Sequence, residues 1–298
     1  MDTQFTSGFW DVYIAVITVV SIVACAVLLK TQSLRKAPGE ADTTGHTWDE
    51  DLAEYNNPLP RWWSWLFYIT IAFGLAYLVL YPGLGSWRGT LGWTEVGQYQ
   101  RENELAAKQY GPLYEKFGKM EIAELSANPE ALAVGQKLFL NNCAQCHASD
   151  GGGSRGFPNL TDRDWLYGGD AKTIYETIAN GRNGTMPAFG EAFKAEDIKD
   201  VAHYVMSLSG GAADSIRVAR GRDTFLNTCA ACHGPEGKGN PALGAPNLTD
   251  RIWLHGSGEA RIIETVTRGR QSQMPAHKDT LGDAKIRLLA AYVLSLSK

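Results

Sequence analysis

Two five-residue stretches hold the side chains best suited to chemistry, Cys143-Ala144-Gln145-Cys146-His147 and Cys229-Ala230-Ala231-Cys232-His233. C-x-x-C-H is the spacing of a covalent c-type haem attachment. The thiols of Cys143 and Cys146, and of Cys229 and Cys232, would form thioethers with two vinyl groups. His147 and His233 would then meet the irons as fifth ligands. A thioredoxin-like redox site would need a βαβ pattern, which the surrounding sequence lacks. A zinc site would need further Cys or His at finger spacing within the same stretch, and none follows. A disulfide framework would scatter its partners through a short chain, whereas four of the five cysteines sit in these motifs and Cys25 lies in an apolar run.

The sixth ligands come from spacing and repetition. Met186 follows His147 by 39 residues and Met274 follows His233 by 41, each directly before a proline. A thioether closing the opposite face favours ferrous iron and raises the potential. The expectation is that Met186 completes the first site and Met274 the second. His277, three residues beyond Met274, is an alternative ligand there. Met206 and Met120 have no repeated counterpart and read as packing residues. His203 and His255 likewise fall outside the repeated set, and His46 reads as solvated. Filling both axial positions leaves no open site, which argues against oxygen or peroxide chemistry. Arg182 and Arg270, just before the methionine loops, are candidates to pair with haem propionates. Trp165, Trp253, Tyr204 and Tyr292 read as packing around the macrocycle or between helices.

The elements that must position these groups are repeated. The motifs are offset by 86 residues, and beyond them the offset becomes 88: Pro158-Asn159-Leu160-Thr161-Asp162-Arg163 recurs as Pro246-Asn247-Leu248-Thr249-Asp250-Arg251. Each copy reads as a helix (130–140 and 216–226), the motif, a Gly-rich loop, a short helix, a Met-Pro loop and a closing helix. In the closing helices Ile198, Val201, Tyr204, Val205 and Leu208 match Ile286, Leu289, Tyr292, Val293 and Leu296, one face at helical period. Gly135 and Gly221 inside the opening helices predict a close helix–helix crossing. No stretch of either copy alternates as a strand would. Each copy is small for an independent core, so a bound group should supply buried surface.

Ahead of the repeat are two apolar runs, about 10–29 and 62–81, each long enough for the hydrocarbon core of a bilayer. Trp10, Trp62, Trp63, Trp65, Tyr81 and Trp87 flank them, where amphipathic rings prefer to lie. Asp2 and Asp11 without any leading Lys or Arg argue against a signal peptide. Lys30, Arg35, Lys36 and Arg61 place the connector 30–61 in the cytoplasm and both termini outside. A short amphipathic helix, 102–110, is expected to stop at Gly111-Pro112. The divisions are thus 1–61, first span and connector; 62–125, second span and linker; 126–210 and 211–298, the two copies. The fold class is all-α, two transmembrane helices followed by two tandem class I cytochrome c domains.

Composition agrees. Across 298 residues, 28 Lys plus Arg against 32 Asp plus Glu leave a net charge of −4 and no basic excess for nucleic acid. A 44% hydrophobic share excludes wholesale disorder.

Two class I cytochrome c domains behind two membrane helices resemble the diheme subunit, the FixP or CcoP family, of cbb3-type cytochrome c oxidases. Tyr55-Asn56-Asn57-Pro58-Leu59-Pro60-Arg61-Trp62-Trp63 resembles that family's signature before its second helix. The resemblance implies a non-catalytic electron-transfer subunit of the bacterial inner membrane, its domains periplasmic, with two covalently bound haem c. By carry-over, Cys143, Cys146, His147 and Met186 hold the first haem, and Cys229, Cys232, His233 and Met274 the second. Electrons would come from a soluble or membrane-bound cytochrome c or a bc1 complex. They would pass to a monohaem membrane cytochrome c subunit and on to the catalytic haem–copper subunit that reduces oxygen to water. The competing readings are a diheme subunit serving a dehydrogenase or denitrification enzyme, and a diheme peroxidase.

Overall fold

The computed structural model describes residues 7–33 and 43–297. Arg35 and Lys36, two of the charges used to orient the connector, and Asp2 lie outside the described residues. The chain divides into two compact units, Met1–Lys108 and Gln109–Lys298.

The first unit opens with α1 (Gly8–Ser33), continues through a hairpin of β1 (Thr43–Trp48) and β2 (Leu52–Tyr55), and leads into α2 (Arg61–Leu80). At 1.5 Å per residue α1 and α2 are about 39 and 30 Å long. Both are long and apolar enough to cross a membrane. Neither is the core helix of a water-soluble fold, since α1 buries only Leu29 and α2 buries nothing. The two helices meet where the Ser33 and Ser64 hydroxyls share a 3.0 Å hydrogen bond. Beyond α2 the chain doubles back, and the amides of Thr90 and Leu91 donate to the carbonyls of Val79 and Leu80, which the helix end leaves unpaired. Gly89, at φ +69°, permits this return, because a Cβ there would collide with the Leu80 carbonyl.

A longer helix than expected follows, α3 (Glu95–Gly118), and it runs through Gly111-Pro112. Its N-terminus is capped by the Thr94 hydroxyl, which accepts from the Gly97 amide at 3.0 Å. Leu113, Tyr114 and the fully buried Phe117 pack into the core of the second unit, and that burial outweighs the interruption by proline.

The second unit contains α4 (Ile122–Leu125), α5 (Pro129–Asn142), α6 (Ala144–His147), α7 (Ala171–Asn180), β3 (Arg182–Met186) and α8 (Ala195–Leu208) from the first copy. The second copy supplies α9 (Ser215–Thr224), a π-helical turn (Phe225–Cys229), α10 (Ala230–His233), α11 (Glu259–Arg268), β4 (Arg270–Met274), α12 (Lys278–Leu281) and α13 (Asp283–Leu296). Asn128 and Asp214 cap α5 and α9, their side-chain oxygens accepting from the second and third amides beyond them.

Two features depart from expectation. The all-α reading omitted two antiparallel pairings, the β1–β2 hairpin and the long-range pair β3 with β4. Arg-Asn-Gly-Thr-Met and Arg-Gln-Ser-Gln-Met carry no apolar alternation, because each strand is paired on one edge only, by the other. The second departure is larger. The copies at 126–210 and 211–298 are not separate packing units, because α13 packs on α5 and α7 while α8 packs on α9 and α11. Each core therefore combines the opening part of one copy with the closing part of the other. The predicted close crossings exist at the predicted glycines: a Cβ on Gly135 would sit 2.7 Å from the Leu288 carbonyl, and one on Gly221 would strike that of Asp200.

Candidate functional site

His147 ends α6, and its Nδ1 lies 2.9 Å from the Pro158 carbonyl oxygen; His233 ends α10, 3.1 Å from that of Pro246. A proline carbonyl can only accept, so each Nδ1 carries the hydrogen and each Nε2 keeps its lone pair for a metal. The carbonyls are held by the repeated Pro-Asn-Leu-Thr turn, in which Asn159 and Asn247 Oδ1 accept from both the amide and the hydroxyl of Thr161 and Thr249. The Gly-rich loop closes back on the motif, with the Gly153 amide donating to His147 O and the Gly239 amide to His233 O, both at 2.8 Å. Gly153 has φ +70°, and a Cβ there would meet the Pro158 carbonyl at 2.6 Å, so glycine allows the turn that aims the histidine. Desolvation lowers the pKa of the buried His233, which favours the neutral ligand form.

None of the four motif cysteines is joined in a disulfide. Burial, with the neighbouring Cys146 or Cys232 adding to it, pushes the Cys143 and Cys229 thiols up to about 11. Both are half-buried, and their raised pKa is the opposite of an activated redox cysteine's. Among the described residues no three His, Cys, Asp or Glu side chains converge as a metal cluster. Free imidazole Nε2 atoms, paired thiols beside them and methionines in the adjoining cores form a donor set that suits haem c.

The methionines are not where sequence order puts them. Met274 packs in the core that holds Cys143, with Phe139, Trp165 and Ile178. Met186 packs in the core that holds Cys229, with Phe225, Trp253 and Val266. Met120 and Met206 pack against the two cores as structural residues. Tyr204 and Tyr292 lie between helices, their rings 5.1 Å from Phe225 and 5.4 Å from Phe139. Arg182 Nε donates to the Thr177 hydroxyl at 2.9 Å, and Arg270 Nε and Nη2 donate to that of Thr265 at 2.9 and 2.7 Å. His203 Nδ1 accepts from the Asp214 amide and its Nε2 faces Glu259, so it serves the α8–α9 junction. His277 precedes α12, and its amide donates to the Ile178 carbonyl. His46 packs against Trp48 in the exposed hairpin, the two rings 4.5 Å apart and tilted by 58°.

The site residues that sequence reasoning missed are Asp200, Arg217 and Arg220. Asp200, on α8 and only 6% exposed, accepts from Arg217 at 2.6 Å and from Arg220 at 2.6 and 3.0 Å, both on α9. The signal was present in the repeat. Asp200 aligns with Leu288, and Arg217 and Arg220 align with Ala131 and Val134, so the charges occur as complements in one pairing of helices and in no other.

Helical packing around two C-x-x-C-H motifs with backbone-oriented histidines defines a cytochrome of the c type. Residues 130–205 and 217–293 each match the family described as cytochrome c oxidase, cbb3-type, subunit III, and 40–88 match the N-terminal domain of cytochrome oxidase-cbb3, FixP. A cbb3-type cytochrome c oxidase subunit CcoP of Rubrivivax gelatinosus is 51% identical over all of this chain and 98% of its own. A subunit FixP of Azorhizobium caulinodans is 41% identical over 87% of this chain and 94% of its own, and a subunit CcoP of Cereibacter sphaeroides 38% over 90% and 99%. The chain belongs to the subunit III family of cbb3-type cytochrome c oxidases.

Proposed function

We propose that the chain is the diheme electron-transfer subunit of a cbb3-type oxidase, non-catalytic in itself. The observation that carries this is the pair of C-x-x-C-H motifs, each with its histidine oriented by a proline carbonyl, in a chain similar over its full length to oxidase subunits. Cys143 with Cys146 and Cys229 with Cys232 hold two haem c groups as thioethers, and His147 and His233 supply one axial ligand to each. Met186 and Met274 supply the others. Haem c held between His and Met takes up and releases single electrons. The chain's own part is to fix the imidazole tautomers, cover the macrocycles with Trp165, Trp253 and the helix faces, and close the sixth position against oxygen.

α1 and α2 cross the inner membrane, with 30–61 cytoplasmic and both termini and both haem domains periplasmic; Lys30 and Arg61 in the connector support this orientation. Electrons arrive from a cytochrome c or a bc1 complex and leave to a monohaem cytochrome c subunit and the haem–copper subunit. The family match does not favour a dehydrogenase or denitrification partner or a peroxidase. The test is gentle purification through a tag on this chain, followed by a haem-type assay and a carbon monoxide difference spectrum. Co-purifying b-type haem that binds carbon monoxide, with copper and oxygen uptake, is expected. Only c-type haem, unreactive toward carbon monoxide, would overturn the assignment to the oxidase.

A further inference from the structure

We propose that the β1–β2 hairpin docks on the Lys- and Arg-rich cytoplasmic loops of a multi-span membrane protein in the same complex. Its exposed Trp48–Leu52 pair supplies the apolar contact, and its acidic tip supplies the charge. The proposal rests on the cytoplasmic placement of 30–61 given above and names what that segment meets there.

Three observations carry it. The first is an apolar face open to its surroundings. Every residue of β1 and β2 is exposed. Trp48 and Leu52 stand opposite each other in the register, 56% and 64% exposed. Alternation along the strand puts His46 on the same face as Trp48, which its ring contacts. A lone two-stranded hairpin is marginal in water, and this one buries none of its own strand residues. A surface laid over Trp48 and Leu52 supplies what the hairpin lacks.

The second observation is the tip. Asp49 and Glu50 have φ of +43° and +68°, a conformation costly for residues with a Cβ. Asn and Gly would turn the chain there at less cost. The residues present add charge instead: with Asp51 and Glu54, the span 43–55 holds four carboxylates and no Lys or Arg. The anionic cytoplasmic leaflet repels such a hairpin, which disfavours the bilayer surface as the cover for Trp48 and Leu52. Short cytoplasmic loops of membrane proteins are enriched in Lys and Arg, and they carry the complementary sign.

The third observation is placement. Only five residues, 56–60, separate β2 from α2, and Pro58 and Pro60 among them restrict the backbone. The Leu59 amide donates to the Gln32 carbonyl at 3.3 Å, joining the exit of the hairpin to the end of α1. The Ser33–Ser64 hydrogen bond closes the same end of the helix pair. The acidic tip is therefore held beside the membrane, where the loops of neighbouring spans emerge. A contact of this size would be weak between free proteins. Anchoring through two spans raises its effective concentration and makes it sufficient.

The test uses the full chain in native membranes. A photoreactive residue replaces Leu52, and the adducts formed on illumination are mapped by mass spectrometry. Docking predicts adducts with Lys- or Arg-rich cytoplasmic loops of a multi-span protein that co-purifies with this chain. Reversing the tip with Asp49→Lys, Glu50→Lys and Asp51→Lys should lower the adduct yield about tenfold, the scale of a few exposed ion pairs. Asp49→Asn with Glu50→Gly eases the turn and keeps Asp51 and Glu54, so it should lower the yield less. Adducts with lipid alone, or a yield indifferent to charge reversal, overturn the proposal. Thr47→Cys, on the opposite face of the hairpin, tests the orientation separately with a membrane-impermeant maleimide. Labelling in inverted vesicles but not in spheroplasts is expected, and the reverse overturns the orientation and the proposal with it. Adducts with a basic loop in a complex without b-type haem would leave the docking standing and overturn the oxidase assignment.

Discussion

Asp200 sits at a junction where a single carboxyl governs how two helices meet. The Arg220 guanidinium, and Arg217 after it, hold that carboxyl below its ordinary value of 3.8 against the opposing effect of desolvation. A depressed folded-state pKa contributes stability that is fully present above the unfolded value and is lost as pH falls through the folded one. Acid titration of the folded protein should therefore show the α8–α9 contact weakening only below about pH 4, with Asp200→Asn removing that acid-dependent part. At neutral pH Asp200→Ala should lower stability by about 1.5–3 kcal/mol, the scale of hydrogen bonds to a charged group, as read by thermal or denaturant unfolding. A second residue-scale prediction concerns the histidine orienter. Replacing Gly153 with Ala forces a Cβ against the Pro158 carbonyl that fixes His147. The expected result is a lowered yield of the first haem with the second unaffected, measured by haem content on separated peptides.

At the scale of elements, the helices were legible because their apolar periods are strong, and the closing helices run within a few residues of the predicted faces. α3 was cut short in the sequence reading because Gly111-Pro112 is a local stop signal, and only the burial of Phe117 beyond it explains why the helix continues. β3 and β4 had no readable pattern, since strands that pair only with each other and bury none of their residues fully need no apolar alternation. Both helix crossings depend on a glycine in contact with the backbone of the facing helix. Gly135→Ala and Gly221→Ala should each cost about 1–3 kcal/mol as overpacked contacts, read as a fall in the unfolding midpoint. The substitutions strike different interfaces, one lined by Leu288 and Tyr292, the other by Asp200 and Val201.

At the scale of the whole molecule, the motifs and the repeat were plain in the sequence while the partnership between copies was not. The reason is the repeat itself. Tyr204 and Tyr292, or Phe139 and Phe225, are the same residues at equivalent positions, so self-pairing and cross-pairing satisfy one apolar pattern equally well. Only where the copies diverge, as at Asp200 and Leu288, does the sequence distinguish the two. Because each core holds segments of both copies, calorimetry of the soluble portion within the intact chain should give one unfolding transition and not two. The position of α13 against α5 and α7 also reverses the usual relation between gene order and damage. A premature stop after residue 274 would leave the second motif with every segment that covers it and strip α13 from the first. During synthesis the earlier half would in the same way be the last to be completed, waiting for the final fourteen-residue helix of the chain before its core could close.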